Sequence, residues 1–458
     1  MGLAWVPYWY GSNDLIAWGV NAVIFPGLAA FYEISLLARR KAHPLAIGRL
    51  TPQAILFIAV VLWIWLQTIP WKHSPLVHPI WAMAAQALGI PLDGSITVNR
   101  DLTNLALLRL ITAASVLWLA AQLCRDPARA IRLIWAIAAI GSAYAAYGLV
   151  AVCFRSVSLP GVDVPLDGTL LSSTFINRNT FATYAGLALV AVIGLTLRVY
   201  RHEMVGTEAG WRLQLASLVD ATGTKAAAPL AGAFIILVGL LLTGSRGGVI
   251  ATGAGLFVLG LLTRRRAGKS GRRASLVIAP IIILIVATVL AFGGLFFGSI
   301  EERGIFDSDR MSVYALTIRS ILDAPWLGYG YGTFVDVFPL YRDHSIGVQG
   351  TWGQAHDTYL EVFQGLGLVF GTMLVASVLF TVLGCLKGAL RRREYATVPS
   401  VAMGAAVLVG THAVFDFGLQ IQAVTLTFMA LLGAGLAQSE AQPLSEPQYR
   451  GHTLTMDG

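Results

Sequence analysis

The chain has 458 residues, of which 56% are hydrophobic and only 12% charged. A soluble protein carries about a quarter charged residues, and the mean hydropathy here is +0.70. Length and composition together exclude a soluble enzyme, a disordered chain and a porin-type barrel, whose strands would alternate in polarity.

Residues 1–14 hold no Lys or Arg, so no cleavable signal peptide is expected. Eleven apolar runs follow in chain order, at residues 15–37, 53–69, 102–123, 133–153, 180–199, 229–242, 249–262, 274–297, 358–383, 398–415 and 419–437. Each approaches the roughly 20 residues a membrane helix needs. The expectation is an all-α polytopic membrane protein of about 11 (10–12) transmembrane helices, one integral domain over 1–458 with a large periplasmic loop between the eighth and ninth spans. Cys124, Cys153 and Cys385 lie far apart, with neither a disulfide framework nor C-x-x-C metal spacing.

Charge orients the spans. The segments 39–49, 125–132, 198–225, 264–273, 387–393 and the tail 438–458 hold 22 of the 32 Lys and Arg residues, and they alternate with the remaining loops. Positive loops stay in the cytoplasm, so the N-terminus is expected outside and the tail inside. The net charge of +8 is then mostly an orientation signal, with no nucleic-acid partner implied. Of the ten cationic residues left on or near the outer side, nine are arginine, including Arg100, Arg109, Arg155, Arg178, Arg246, Arg303, Arg310, Arg319 and Arg342. Arginine grips phosphate or carboxylate with a planar fork, although scattered arginines also anchor helices at an interface.

Three outer segments are long: 70–101, 154–179 and 298–357. The last contains a helix-like stretch at 311–323, with Val313, Leu316, Thr317 and Ser320 along one irregular face. It also carries Trp326, Tyr329, Tyr331, Phe334, Phe338, Tyr341 and Trp352, suited to interfacial packing or to stacking on sugars. The inner loops show no phosphate-binding G-x-x-x-x-G-K-[ST] pattern, which argues against an ATP-driven pump. No internal repeat supports a transporter built on repeats.

Three outer motifs carry the chemistry. S-S-T-F-I-N-R-N-T-F-A-T-Y at 172–184 enters the fifth span. Asn179 or Thr180 would cap that helix, and its N-terminus would favour an anion beside Arg178. The alternative is a capped helix with a snorkelling arginine. L-T-G-S-R-G-G at 242–248 joins two spans by a short turn, placing Arg246 near the membrane surface, or forming a plain glycine hairpin. Q-A-H-D-T-Y-L-E-V-F-Q-G-L-G at 354–367 leads into the ninth span. Asp357 and Glu361 share a helix face there, and His356 is the side chain suited to proton transfer near neutral pH. Glu361 lies deeper and calls for a partner, for which an arginine is the natural choice.

Together the motifs resemble the O-antigen ligase and polymerase superfamily of bacterial polysaccharide assembly. The resemblance runs over about 172–371, in S-T-F-I-N-R-N-T-F-A-T-Y, T-G-S-R-G-G and H-D-T-Y-L-E-V-F-Q-G-L-G-L-V-F-G. The family often has Asn after the His, where this chain has Asp357. The resemblance implies a glycan donor on polyprenyl (undecaprenyl) pyrophosphate. It implies an acceptor hydroxyl on lipid A–core or on another glycan. It also implies an inverting, metal- and cofactor-free transfer at the periplasmic face of the bacterial inner membrane. It makes His356, Arg246 and Arg178 the catalytic residues. Asn177, Asn179, Arg310, Arg342, Asp357 and Glu361 become candidates for binding substrate. Ligase and polymerase share the donor site and stay open alternatives. A membrane transporter is the non-enzyme reading, for which ionisable residues deep in several spans would be the signature.

Overall fold

The computed structural model describes residues 2–72, 74–154, 158–162, 170–203, 211–266, 271–294, 308–346, 351–391 and 396–440. Sixteen helices follow in order: α1 (Gly2–Trp5), α2 (Leu15–Ala38), α3 (Thr51–Thr68), α4 (Ile80–Leu88), α5 (Arg100–Leu123), α6 (Pro127–Cys153), α7 (Arg178–Glu203), α8 (Trp211–Gly223), α9 (Ala227–Leu242), α10 (Arg246–Arg266), α11 (Gly271–Phe292), α12 (Ser308–Asp323), α13 (Phe334–Val337), α14 (Thr358–Arg391), α15 (Thr397–His412) and α16 (Gln422–Glu440). Among the described residues there is no strand, only the isolated bridges Trp71–Gly94 and Leu159–Val162. The protein is an all-helical, multi-pass membrane protein.

Each of the eleven apolar runs coincides for most of its length with a helix, and 53–69, 274–297, 398–415 and 419–437 extend past the ends of theirs. Seven of those helices, α2, α3, α5, α6, α7, α10 and α14, are long and apolar enough to cross a membrane alone, and α8 with α9 forms a pair bent by 68°. Among the described residues this makes seven such helices, or eight with the bent pair, beside shorter apolar helices such as α15. The shorter helices have a physical reason to be short. α15 has 16 residues, about 24 Å at 1.5 Å per residue, and nearly all of it is buried by neighbouring helices. Irregular backbone at its ends then meets protein rather than lipid, where its polar groups find partners.

The centre of the bundle is α7, buried along its whole apolar length. Small residues at Ala182, Ala185, Gly186, Ala188, Ala191 and Gly194 let α6, α9, α10, α15 and α16 pack against it, as close helix contact in membranes requires. By contrast α2 and α3 are peripheral, with Val23, Phe31, Leu37 and Trp65 exposed.

The loops sort to two ends. At one, Arg125 donates to Pro44 O (3.1 Å) and Ala437 O (2.9 Å), and Gln438 Nε2 donates to Cys124 O at 2.6 Å. This is the basic end. At the other, Thr174 Oγ1 donates to Pro7 O at 2.6 Å, Ala423 N to Gly11 O at 3.0 Å, and Val98 N to Tyr329 O at 2.9 Å. All three motifs lie there. A lobe built on α12 and α13 covers that end, with Val313, Leu316, Phe334, Phe338, Ile346 and Ala355 as its core. The expected helix at 311–323 begins three residues earlier, at Ser308, and its irregular face is the buried one: Val313, Leu316, Thr317 and Ser320 are all buried. Packing claims Tyr329, Phe334 and Phe338, whereas Trp326 stays 66% exposed. Residues 298–307 of the large loop, Arg155, Arg303 and the tail from 441 lie outside the described residues. α16 continues to Glu440, three residues into the segment 438–458 expected as a tail.

Candidate functional site

The first motif begins α7 earlier than expected. Asn177, not Asn179 or Thr180, caps the helix: its Oδ1 accepts the N–H of Asn179 at 2.7 Å, and its carbonyl accepts Phe181 N–H at 3.1 Å. An N-cap oxygen reaches the second or third helical N–H, which makes Arg178 the first helical residue and leaves Asn179 half-buried in the first turn. Arg178 Nη1 donates to Thr243 O at 3.2 Å. That contact ties the first motif to the second.

The second motif is a capped turn as well. Gly244 adopts φ 60°, and Ser245 Oγ accepts the N–H of Gly248 at 3.2 Å, capping α10. Arg246 is again the first helical residue, and its Nη1 is buried with no hydrogen-bond partner among the described residues. Gly247 lies close against His412: a Cβ there would sit 3.1 Å from His412 Nε2, so the ring would have to give by a few tenths of an ångström. His412 is buried between the motifs, its Nδ1 2.6 Å from Thr183 Oγ1 on α7.

In the third motif His356 has a left-handed backbone, φ 56°. Such outliers persist only where surroundings hold them, and they gather at functional sites. Tyr314 Oη donates to His356 O at 2.9 Å. His356 Nδ1 lies 3.3 Å from Asp416 Oδ1, and its ring is flanked by Trp352 (centroids 5.6 Å) and Phe417 (4.9 Å). Asp416 is buried, and its Oδ2 has no partner among the described residues. Asp357 caps α14 through Leu360 N–H, 3.0 Å from its Oδ1. Burial raises its carboxyl above the usual range, against the backbone N–H groups of Leu360 and Tyr359 that lower it. Glu361 accepts Ala355 N–H at 2.5 Å and the side chain of Gln420.

The link sequence reasoning missed is the turn 412–420, H-A-V-F-D-F-G-L-Q, between α15 and α16. It touches every motif. His412 meets Thr183 and Gly247, Asp416 meets His356, and Thr358 N–H and Oγ1 donate to Ala413 O (2.8 Å) and Asp416 O (3.0 Å). Arg310 joins through Nη1 to Phe415 O at 2.7 Å. Arg342 belongs to the covering lobe, its N–H on Phe338 O at 3.1 Å. A signal was present: an acid between two phenylalanines and between two apolar runs is costly unless it has a task.

Beside the His356 turn opens a cavity of about 580 Å³. Its polar end holds Arg109, Glu361, Gln354 and Gln420, and its apolar wall descends along α14 through Leu374, Val378 and Val382. Arg109, which lies in no motif, stacks over Trp18 at 4.3 Å and donates to Gln420 O. Glu361 itself is held by Ala355 N–H and Gln420, and Arg109 reaches it only through Gln420. Among the described residues no three His, Cys, Asp or Glu side chains gather as metal ligands.

One end of this helical protein thus gathers Arg178, Arg246, Arg310, His356 and the capped N-termini of α7, α10 and α14. Residues 231–376 match the family model described as O-antigen ligase, which bears out the resemblance to the O-antigen ligase and polymerase superfamily. The matched segment contains the second and third motifs; the first, and the 412–420 turn, lie outside it. The match covers 146 of the 458 residues and is a likeness over that segment. No curated protein matches the chain.

Proposed function

We propose that this protein moves a glycan from polyprenyl (undecaprenyl) pyrophosphate to an acceptor hydroxyl, such as one on lipid A–core, at the periplasmic face of the bacterial inner membrane. The observation that carries this reading is the convergence of Arg178, Arg246 and His356, far apart in sequence, through Thr243, the 412–420 turn and Asp416. The arginines and the N-termini of α7 and α10 suit a pyrophosphate, and the buried unpartnered Nη1 of Arg246 is a donor available to it. The amphipathic cavity suits the isoprenoid chain, its apolar wall running along the bilayer.

In this reading the acceptor oxygen attacks the anomeric carbon from the face opposite the leaving group. The bond from that carbon to the pyrophosphate oxygen breaks, and the configuration inverts. Negative charge growing on the departing pyrophosphate is met by Arg246 and Arg178, so no metal is called for. The acceptor proton passes to His356. With Nδ1 turned to Asp416, Nδ1–H donates to that carboxylate and Nε2 carries the lone pair that takes the proton. Asp416 then stabilises the imidazolium.

The test is transfer by purified variants at matched insertion. Arg246→Ala should lower the rate by about 10²–10³, the usual worth of one electrostatic donor, and Arg246→Lys should rescue poorly because the fork is lost. Wild-type transfer in Arg246→Ala would reduce the residue to a turn element. The acceptor separates ligase from polymerase: on gene deletion, polymer stranded on the carrier marks a ligase, and single repeat units on lipid A mark a polymerase.

A further inference from the structure

We infer that Arg109, Gln420 and Glu361 form a positioning bridge that sets His356 against Asp416. The inference rests on the reading of His356 as the base. His356 and Asp416 sit on different segments, 60 residues apart in sequence; their side chains meet at 3.3 Å, and Thr358 ties the backbones through Ala413 O and Asp416 O. His356 also holds a left-handed backbone, which surrounding contacts must maintain. One such contact is on the preceding residue: Glu361 Oε1 accepts Ala355 N–H at 2.5 Å. Its other oxygen accepts the side-chain N–H of Gln420, four residues after Asp416. The backbone carbonyl of Gln420 in turn accepts from Arg109 on α5, whose guanidinium carbon lies over the Trp18 ring, 4.3 Å from its centroid. A carboxylate at this depth is costly unless its oxygens are satisfied. Both oxygens of Glu361 are satisfied by the two segments that carry the catalytic pair. Arg109 fixes the second segment to the helix bundle. Arg109 and Glu361 are therefore positioning residues, and the cavity they line lies beside the pair they hold.

The experiment is a double-mutant cycle on transfer, using lipid-linked glycan extracted from the producing cells as donor in proteoliposomes. Glu361→Ala and Arg109→Ala should each lower kcat by about 10²-fold, the cost of a misplaced catalytic group, while KM for the donor moves less than about threefold. Glu361→Gln still accepts Ala355 N–H, and Arg109→Lys still donates to Gln420 O. Both should stay within about tenfold of wild type. In an Asp416→Asn background, Glu361→Ala should cost less than about threefold more, because residues acting as a unit are not additive. Multiplied losses in the double variant, or a tenfold rise in KM at unchanged kcat, would make Glu361 a substrate contact and overturn the bridge. If an alanine variant does not fold, Gln420→Ala cuts the bridge while keeping both charges, and it enters the same cycle with the same expectation. Wild-type rates in His356→Ala and Asp416→Asn would remove the base itself, and the bridge with it. Losses there combined with additive behaviour of Glu361 and Arg109 would remove the bridge alone.

Discussion

Asp357 stands where the motif it resembles often carries Asn, and its geometry is that of a helix cap. Its Oδ1 accepts the N–H of Leu360 at 3.0 Å, a task that Asp and Asn perform about equally at an N-cap. Asp357→Asn should therefore leave thermal stability in detergent within about 0.5 kcal/mol, whereas Asp357→Ala should cost about 0.5–2 kcal/mol. A large loss in Asp357→Asn would mean that the charge itself, and not only the capping oxygen, holds the start of α14. The residue scale was partly legible in the sequence. His356, Arg178, Arg246 and Arg310 could be singled out because charge in an apolar chain needs a reason. Asp416 carried the same signal but no partner could be named for it, and His412 reads as part of the apolar run 398–415. Only the folded chain brings Asp416 beside His356 and His412 beside Gly247.

At the scale of elements, α14 is broken where it leaves the site. Gly367 has φ 75°, and the glycine-rich stretch before α13 lies against the break: Tyr329 N–H donates to Gln364 O (3.0 Å), Gly330 N–H to Gly365 O (3.1 Å) and Leu368 N–H to Pro325 O (2.7 Å). Gln67 on α3, fully buried, completes the junction by donating to Leu327 O and Gly365 O, both at 2.9 Å. Backbone groups freed within a membrane protein need such partners. A Cβ on Gly367 would stand 2.4 Å from Trp326 O. Gly367→Ala should then destabilise by about 2–6 kcal/mol, the sum of left-handed strain and overpacking, seen as a lowered apparent Tm in detergent. An unchanged Tm would show that the break relaxes into a straight helix. This junction was invisible in the sequence, where 358–383 reads as one continuous apolar run. Hydropathy reports burial from water and cannot tell a straight helix from one interrupted by backbone donors of another segment.

For the molecule as a whole, the apolar runs and the alternation of basic loops were legible, because the bilayer imposes length and charge rules on the chain. Which helix is central was not. α7 and α2 are both apolar, yet α7 is enclosed by protein and α2 is peripheral; hydropathy does not separate a lipid neighbour from a helix neighbour. The basic loops and the motifs occupy opposite ends, which motivates a topology prediction. Reporters fused after Arg266 and Arg393 should read as cytoplasmic and one near Trp352 as outside. A cytoplasmic reading near Trp352 would put His356 in the wrong compartment. The central claim is that this end transfers a glycan between lipids rather than passing a solute through the bundle. It is tested most directly by purified protein in proteoliposomes, supplied only with lipid-linked glycan and acceptor. One free polyprenyl pyrophosphate should appear for each glycosylated acceptor, and His356→Ala should abolish both products together. Solute accumulating in the lumen with neither product formed would contradict the account.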